Sequence, residues 1–107
     1  MNHFFRVPGL LQQAAENLKL YQEFLRVPAM SAGLYVLPAG AADPQGPHQE
    51  DETYYVIRGR ARMKVGADDQ PVGAGSVIFV EANAQHRFYD ITEELVVLVF
   101  FAPAESG

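Results

Sequence analysis

The chain opens on a helical pattern and then changes period. Leu10, Leu11, Ala14, Ala15 and Leu18 recur at the three-and-four spacing of one helix face behind a Pro8-Gly9 breaker, which predicts a helix there. Lys19 to Val27 fits either a continued helix or a strand, because Tyr21, Glu23, Leu25 and Val27 also follow a two-residue period; Pro28 ends whichever forms. From Met30 onward short apolar runs alternate with turn formers: Gly33 to Leu37, then Pro38-Ala39-Gly40, then the loop Asp43-Pro44-Gln45-Gly46-Pro47. Glu52 to Arg58 follows, broken by Gly59. Ala61, Met63 and Val65 then alternate with Arg60, Arg62 and Lys64, as a strand with one wet face requires. Gly66 to Pro71 carries Asp68 and Asp69 and reads as a turn. Ser76 to Val80 and Leu95 to Phe101 are continuous β-branched and aromatic runs, expected to be buried on both sides. Short strands at near-regular spacing predict an all-β sandwich, jelly roll or small barrel over residues 29–107, preceded by a helical extension over residues 1–28.

Composition narrows the chemistry. At 107 residues, 49% of them hydrophobic, the chain matches one domain with its own core. The absence of cysteine excludes disulfides, thiol catalysis and iron–sulfur clusters, leaving histidine and carboxylate as the strong metal ligands. A formal net charge of −5 argues against nucleic acid or an anionic membrane surface as partner. The longest apolar run, Leu95 to Ala102, falls far short of the roughly twenty residues of a membrane span. No secretory leader pattern opens the chain, so the cytoplasm is the expected location. Only three histidines remain to be weighed: His3, His48 and His86.

Two constellations carry candidate chemistry. In His48-Gln49-Glu50-Asp51-Glu52, an extended backbone points His48, Glu50 and Glu52 to one face and Asp51 to the other. Like charges on one strand face repel, and a divalent cation would relieve Glu50 and Glu52; taken alone, the segment reads more simply as an acidic, solvated loop. In the second, the buried run Ser76 to Val80 ends in a short turn where Asn83 tolerates a left-handed backbone, and His86 opens the next extended run. Gly73 and Gly75 precede a strand rather than a helix and so do not form a phosphate loop. A single histidine beside apolar strands is more often a satisfied rim residue than a ligand. Arg58, Arg60, Arg62 and Lys64 form a basic strand face, most simply a wet one.

Taken together, the two segments resemble the paired motifs of a small single-domain cupin. The first motif ends in a glutamate, six residues and a glycine, with a histidine four or five positions before the glutamate; Glu52, Thr53 to Arg58, Gly59 and His48 reproduce it. The second runs from a glycine through a proline and a glycine to a histidine and an asparagine; Gly75, Glu81, Asn83, His86 and Asp90 match its length, with three of the residue types changed. The resemblance spans about residues 31–103. It implies a jelly-roll barrel (a double-stranded β-helix) and a divalent transition metal, Fe, Mn, Zn or Ni, held by His48, Glu52 and His86. The other histidine of the usual first motif falls on Gly46. Either the site has three ligands, or Glu50 or Gln45 fills the vacancy, or the loop is reshuffled so that His48 and Glu50 take the two roles. Tyr54, Val56, Phe88 and Tyr35, with Phe101, would line a pocket for a small-molecule substrate or ligand. Core packing is the simpler role for all of these aromatics except Tyr54. Single-domain members commonly form homodimers. The readings that follow are a metal-dependent oxygenase, decarboxylase or isomerase, a non-catalytic metal or small-molecule sensor, and a metal-free scaffold.

Overall fold

A computed structural model of the chain describes residues 2–106. It comprises α1 (Val7–Glu16), β1 (Tyr21–Val27), β2 (Met30–Leu37), β3 (Asp51–Val65), β4 (Asp68–Gly73), β5 (Val77–Val80) and β6 (His86–Ala102). Helix α1 begins earlier than the sequence pattern suggests. Pro8 lies in its first turn, where the missing N–H has no intrahelical acceptor to lose, so it starts the helix rather than preceding it. The helix ends at the Asn17 cap, and Leu18 adopts a positive φ of 52° outside it. The ambiguous stretch after it resolves as a strand. Residues 1–28 thus contain both the helix and an edge strand of the sheet.

The strands pair antiparallel in the order β1-β2-β6-β3-β4, with β5 attached to the first part of β3. Asp68–Gly73, expected largely as a turn, is strand β4 closing a tight hairpin with β3 across Gly66 and Ala67. Strands β3 and β6 form one long ladder whose register slips between Val56 and Arg62. Gly59 sits in that slip with φ 101°, and a Cβ there would press on the backbone of Glu94 and lie 2.7 Å from Leu95 Cα. Only glycine fits so close an approach. At this bend the ladder folds over itself. Glu52 pairs with Phe101 at one end and Val65 with His86 at the other, yet the His86 and Glu52 side chains lie 2.9 Å apart. The two ends of the ladder meet, which is the closure of a jelly-roll barrel.

The alternation of Ala61, Met63 and Val65 points inward as predicted, joining Tyr35, Leu37, Tyr54, Val56, Phe88, Val97, Val99 and Phe101 in the main core. Burial of each large side chain contributes about 1.5–3 kcal/mol. Leu10 from α1 packs with Leu34 and Val96 on the outer face of the sheet, which is why Leu95–Phe101 is largely covered on both sides. The expectation of two-sided burial fails for β5. Val77 and Phe79 are 66% and 61% exposed, because β5 pairs only with β3 and α1 packs over β1 and β2 instead. The basic face of β3 is wet and paired: Arg58 with Glu94, Arg60 with Glu93 and Arg62 with Asp69. Among the described residues no helix is long and apolar enough to cross a membrane.

Candidate metal centre

Three elements bring the centre together: the loop before β3, the first turn of β3, and the first residue of β6. Glu52, the second residue of β3, faces inward and its side chain is 1% exposed. His86 opens β6 and its side chain is fully buried. His48 comes from the loop, with Nε2 at 4.0 Å from Glu52 Oε1. One ligand atom from each of His48, Glu52 and His86 lies within 4.8 Å of the others. The two segments are also tied through their backbones. Asn83, in the left-handed conformation its type allows (φ 67°), donates its N–H to the His48 carbonyl.

Second partners fix which ring nitrogen each histidine turns inward. The Ala84 carbonyl can only accept, so the 3.0 Å contact places a hydrogen on His86 Nδ1. His48 Nδ1 faces the Glu105 carboxylate at 3.2 Å, and its ring packs edge-on against Phe101. Both rings then present Nε2 to the centre, the arrangement by which outer carbonyls and carboxylates orient metal-ligating histidines. Opposite them stand further lone pairs. His86 Nε2 meets Glu52 Oε1, and His48 Nε2 meets Gln45 Oε1 at 3.1 Å. Tyr54 holds that amide by donating its hydroxyl to the same oxygen at 3.2 Å.

His48 Nε2 and Gln45 Oε1 satisfy each other as a hydrogen bond, whereas His86 Nε2 and the Glu52 carboxylate stand acceptor against acceptor, and a cation between them would satisfy both. Among the described residues, the buried side-chain nitrogen and oxygen atoms without a hydrogen bond are both Glu52 oxygens, His86 Nε2, Gln45 Nε2 and the Tyr21 hydroxyl. Close as His86 Nε2 and Glu52 Oε1 are, they are not aligned as a hydrogen bond. Burial opposes a charge on His86, but the neighbouring Glu52 and the Ala84 carbonyl outweigh it and raise its pKa. Two imidazoles and a carboxylate are the donor set of an open-sided transition-metal site, so these residues fit the ion.

The remaining sequence candidates fall elsewhere. Glu50 does not share the face of His48 and Glu52, because the chain bends at Gln49–Glu50 and breaks the two-residue alternation; Glu50 Oε2 accepts from the Ser106 hydroxyl and N–H. Asp51 points away as expected and accepts from the Ala82 N–H. His3 is exposed. A pocket of about 200 Å³ opens beside the centre, lined by Tyr35 and Phe101 as anticipated but also by Leu20, Tyr21, Pro44, Gln45, His48 and Glu105. Tyr54, Val56 and Phe88 are fully enclosed in the core; Tyr54 stands behind Gln45, edge-on to Phe88. A larger depression of about 470 Å³ between β4 and β5 has none of the three histidines in its lining and Asp68 as its one charged lining residue.

Sequence reasoning missed three residues that build the site. Asp43 accepts from the Tyr35 hydroxyl, the Gln45 N–H and the Phe88 N–H, fastening the ligand loop to β2 and β6. Its Asp-Pro step was a turn signal, and the bond to Gln45 is the expected two-residue side-chain turn. Glu105 reaches His48 because its segment is held by Ser31 and Arg26, which no local pattern announces. Burial raises the Glu105 pKa against the pull of His48. Tyr21 lies across Gly33, whose missing side chain makes room for the ring.

Comparison with known proteins agrees with the fold. The family model described as a cupin domain matches residues 33–101. An uncharacterised protein of Streptomyces coelicolor is 47% identical over 102 residues, covering 95% of this chain and 97% of its own. Among solved structures, an RmlC-like cupin with a double-stranded β-helix fold from Methanocaldococcus jannaschii superposes with a TM-score of 0.70 at 18% identity, over 78% of each chain. The DMSP lyase DddQ of Ruegeria pomeroyi superposes with a TM-score of 0.69 at 18% identity, over 82% of this chain and 49% of the other. At such identities these two structures share the fold with this chain and nothing narrower. With both motifs at one end of a closed antiparallel barrel and the family model matching most of its strands, the chain belongs to the cupin family.

Proposed function

We propose that this cupin binds one divalent transition metal, Fe, Mn, Zn or Ni, through His48, Glu52 and His86. Gln45 Oε1 is the fourth donor in place of the histidine that Gly46 replaces. A small organic substrate enters through the adjoining pocket. The observation that carries this reading is the buried, unpartnered Glu52 carboxylate facing two imidazole nitrogens. Each unpaired buried polar atom costs about 1–3 kcal/mol, a penalty that a cation removes. Gln45 is supported by its oxygen lying 3.1 Å from His48 Nε2.

When bound, such a metal supplies Lewis-acid or redox chemistry to an oxygen-bearing substrate. The protein's own residues do the rest. Glu105 and the Ala84 carbonyl hold the imidazoles in the ligating tautomer, Tyr54 holds the Gln45 amide, and Phe101 with Tyr35 gives the pocket an apolar wall. Pairing of two copies belongs to the same proposal, supported by the exposed apolar stripe of Tyr55, Val77 and Phe79; a single-chain mass by light scattering would remove it.

Elemental analysis of the purified protein tests the metal. About one ion per chain is expected, and none in His86→Ala. Retention of the ion by that variant refutes the ligand set, as does a protein that takes up none of the four metals. Consumption of oxygen or of a small acid by the loaded protein separates turnover from binding alone.

A further inference from the structure

The Val65 end of the β3–β6 ladder carries a charge arrangement that the fold does not neutralise. Lys64 on β3 stands directly opposite Arg87 on β6, one register step from the Val65–His86 pair. Like charges in that position repel and weaken a ladder. Along the same strand Arg58, Arg60 and Arg62 each meet a carboxylate, but among the described residues Lys64 and Arg87 are in no ion pair. The other cross-strand neighbour of Lys64 is Asp69, whose two oxygens are taken by Arg62 and by the Tyr89 hydroxyl. In a chain of formal net charge −5, two positive charges thus sit side by side without a carboxylate of their own.

The surface between them is concave. A depression of about 250 Å³ is lined by Lys64, Gly66, Gln85, His86 and Arg87 and by no carboxylate, whereas the depression at Arg58 and Arg60 contains Glu93. Its frame is fixed: the Gly66 N–H donates to the Gln85 carbonyl at 2.8 Å, joining the β3–β4 turn to the start of β6. The His86 side chain is fully buried, so that residue offers the depression only its backbone. The Arg87 guanidinium lies 5.3 Å from the centre of the Tyr89 ring, and Arg62 donates to the Tyr89 hydroxyl, so the cation rests on a ring that is itself anchored. Gln85 adds an amide group with two donors. Two cations side by side call for two negative charges, and an arginine fork beside a lysine suits the several acceptor oxygens of a phosphate. A carboxylate would bring one charge and leave the repulsion half relieved.

We infer that Lys64 and Arg87, with the Gln85 amide, form a binding site for a doubly charged oxyanion, either free phosphate or the phosphate group of a small molecule. Because the pair lies on the outer face of the ladder, the site needs no ion at His48, Glu52 and His86 and stands apart from the metal reading above.

Inorganic phosphate tests the site by heteronuclear NMR titration of the full chain, at about pH 8 and at constant ionic strength set with chloride, after metal has been stripped with a chelator and dialysed away. Saturable shifts of the Lys64, Gly66, Gln85 and Arg87 amides are expected, with a Kd of about 5 mM or tighter. Lys64→Gln and Arg87→Gln, both at exposed positions, are each expected to weaken phosphate about five- to tenfold. Acetate, with one charge, is expected to bind at least about fivefold more weakly than phosphate. Methyl phosphate identifies the source: an affinity within about fivefold of phosphate assigns the site to the phosphate group of a larger molecule, and a greater loss assigns it to the free ion. The absence of saturable shifts at those four residues overturns the site, as does undiminished affinity in either variant. Acetate binding as tightly as phosphate overturns the requirement for two charges.

Discussion

Removing the Glu52 charge is the sharpest perturbation of the centre. Both Glu52 oxygens and His86 Nε2 are buried without hydrogen bonds, so the metal-free protein carries three penalties of about 1–3 kcal/mol each that an ion relieves. Zinc at a thousandfold excess over its Kd stabilises the folded state by about 4.1 kcal/mol. With 107 residues and about 2.1 cal/mol/K of unfolding entropy per residue, the chain has about 0.22 kcal/mol/K at its midpoint, so zinc raises Tm by about 18 °C. Glu52→Gln keeps the shape and deletes the charge. Breaking one side of a buried charge arrangement costs about 3–5 kcal/mol, which raises the zinc Kd roughly a thousandfold. At the same zinc concentration the variant is then half-saturated, and its Tm rises by only about 2 °C. Thermal unfolding followed by circular dichroism, with zinc and with a chelator, reads both numbers. A wild-type shift no larger than that, or an equal shift in wild type and variant, refutes the argument from orphaned ligands.

Other substitutions test the supporting structure. Glu105→Ala frees the His48 ring and should lower zinc affinity about ten- to a hundredfold in a competition assay with a chromophoric chelator, with little change in metal-free Tm. Asp43→Ala leaves the Tyr35 hydroxyl and the Gln45 and Phe88 N–H groups without their partner; a loss of about 3 kcal/mol in urea unfolding is expected, together with weaker zinc binding. In the metal-free protein, Tyr21→Phe removes a hydroxyl that is already unpaired and should leave stability unchanged or slightly higher; a loss above about 1 kcal/mol would mean that the hydroxyl has a structural partner. Gly59→Ala forces a side chain against the β6 backbone at a positive φ and should cost at least about 3 kcal/mol in the same unfolding assay.

Local pattern revealed the parts of the molecule whose causes are local. The inward face of Ala61, Met63 and Val65 and the left-handed turn at Asn83 followed from period and residue type. The resemblance to the cupin motifs pointed to His48, Glu52 and His86, and one potential ligand atom of each lies within 4.8 Å of the others. Glu50 was misplaced because alternation assumes an extended chain, and the bend at Gln49 ends that assumption one residue before β3 begins. The run Ser76 to Val80 looked buried on both sides because an apolar run carries no record of its neighbours; only the sheet order shows that β5 pairs with β3 alone. Asp43 and Glu105 are the extreme cases. Their contacts reach Phe88, 45 positions away in sequence, and His48, held through Ser31, and no window of sequence contains both partners.

The folded β3–β6 ladder gives the bend at Gly59 a mechanical meaning. Glu52 stands seven residues from Gly59 along β3, a strand arm of about 23 Å at 3.3 Å per residue. On an arm that long, one degree of rotation at the bend moves the Glu52 carboxylate by about 0.4 Å relative to His86, whereas metal–ligand distances tolerate only about 0.2 Å. Gly59 therefore acts as the fulcrum of a calliper whose jaws are the first residues of β3 and β6. The bite of those jaws, and with it the fit of the cation proposed there, is set midway along the ladder, seven residues from Glu52.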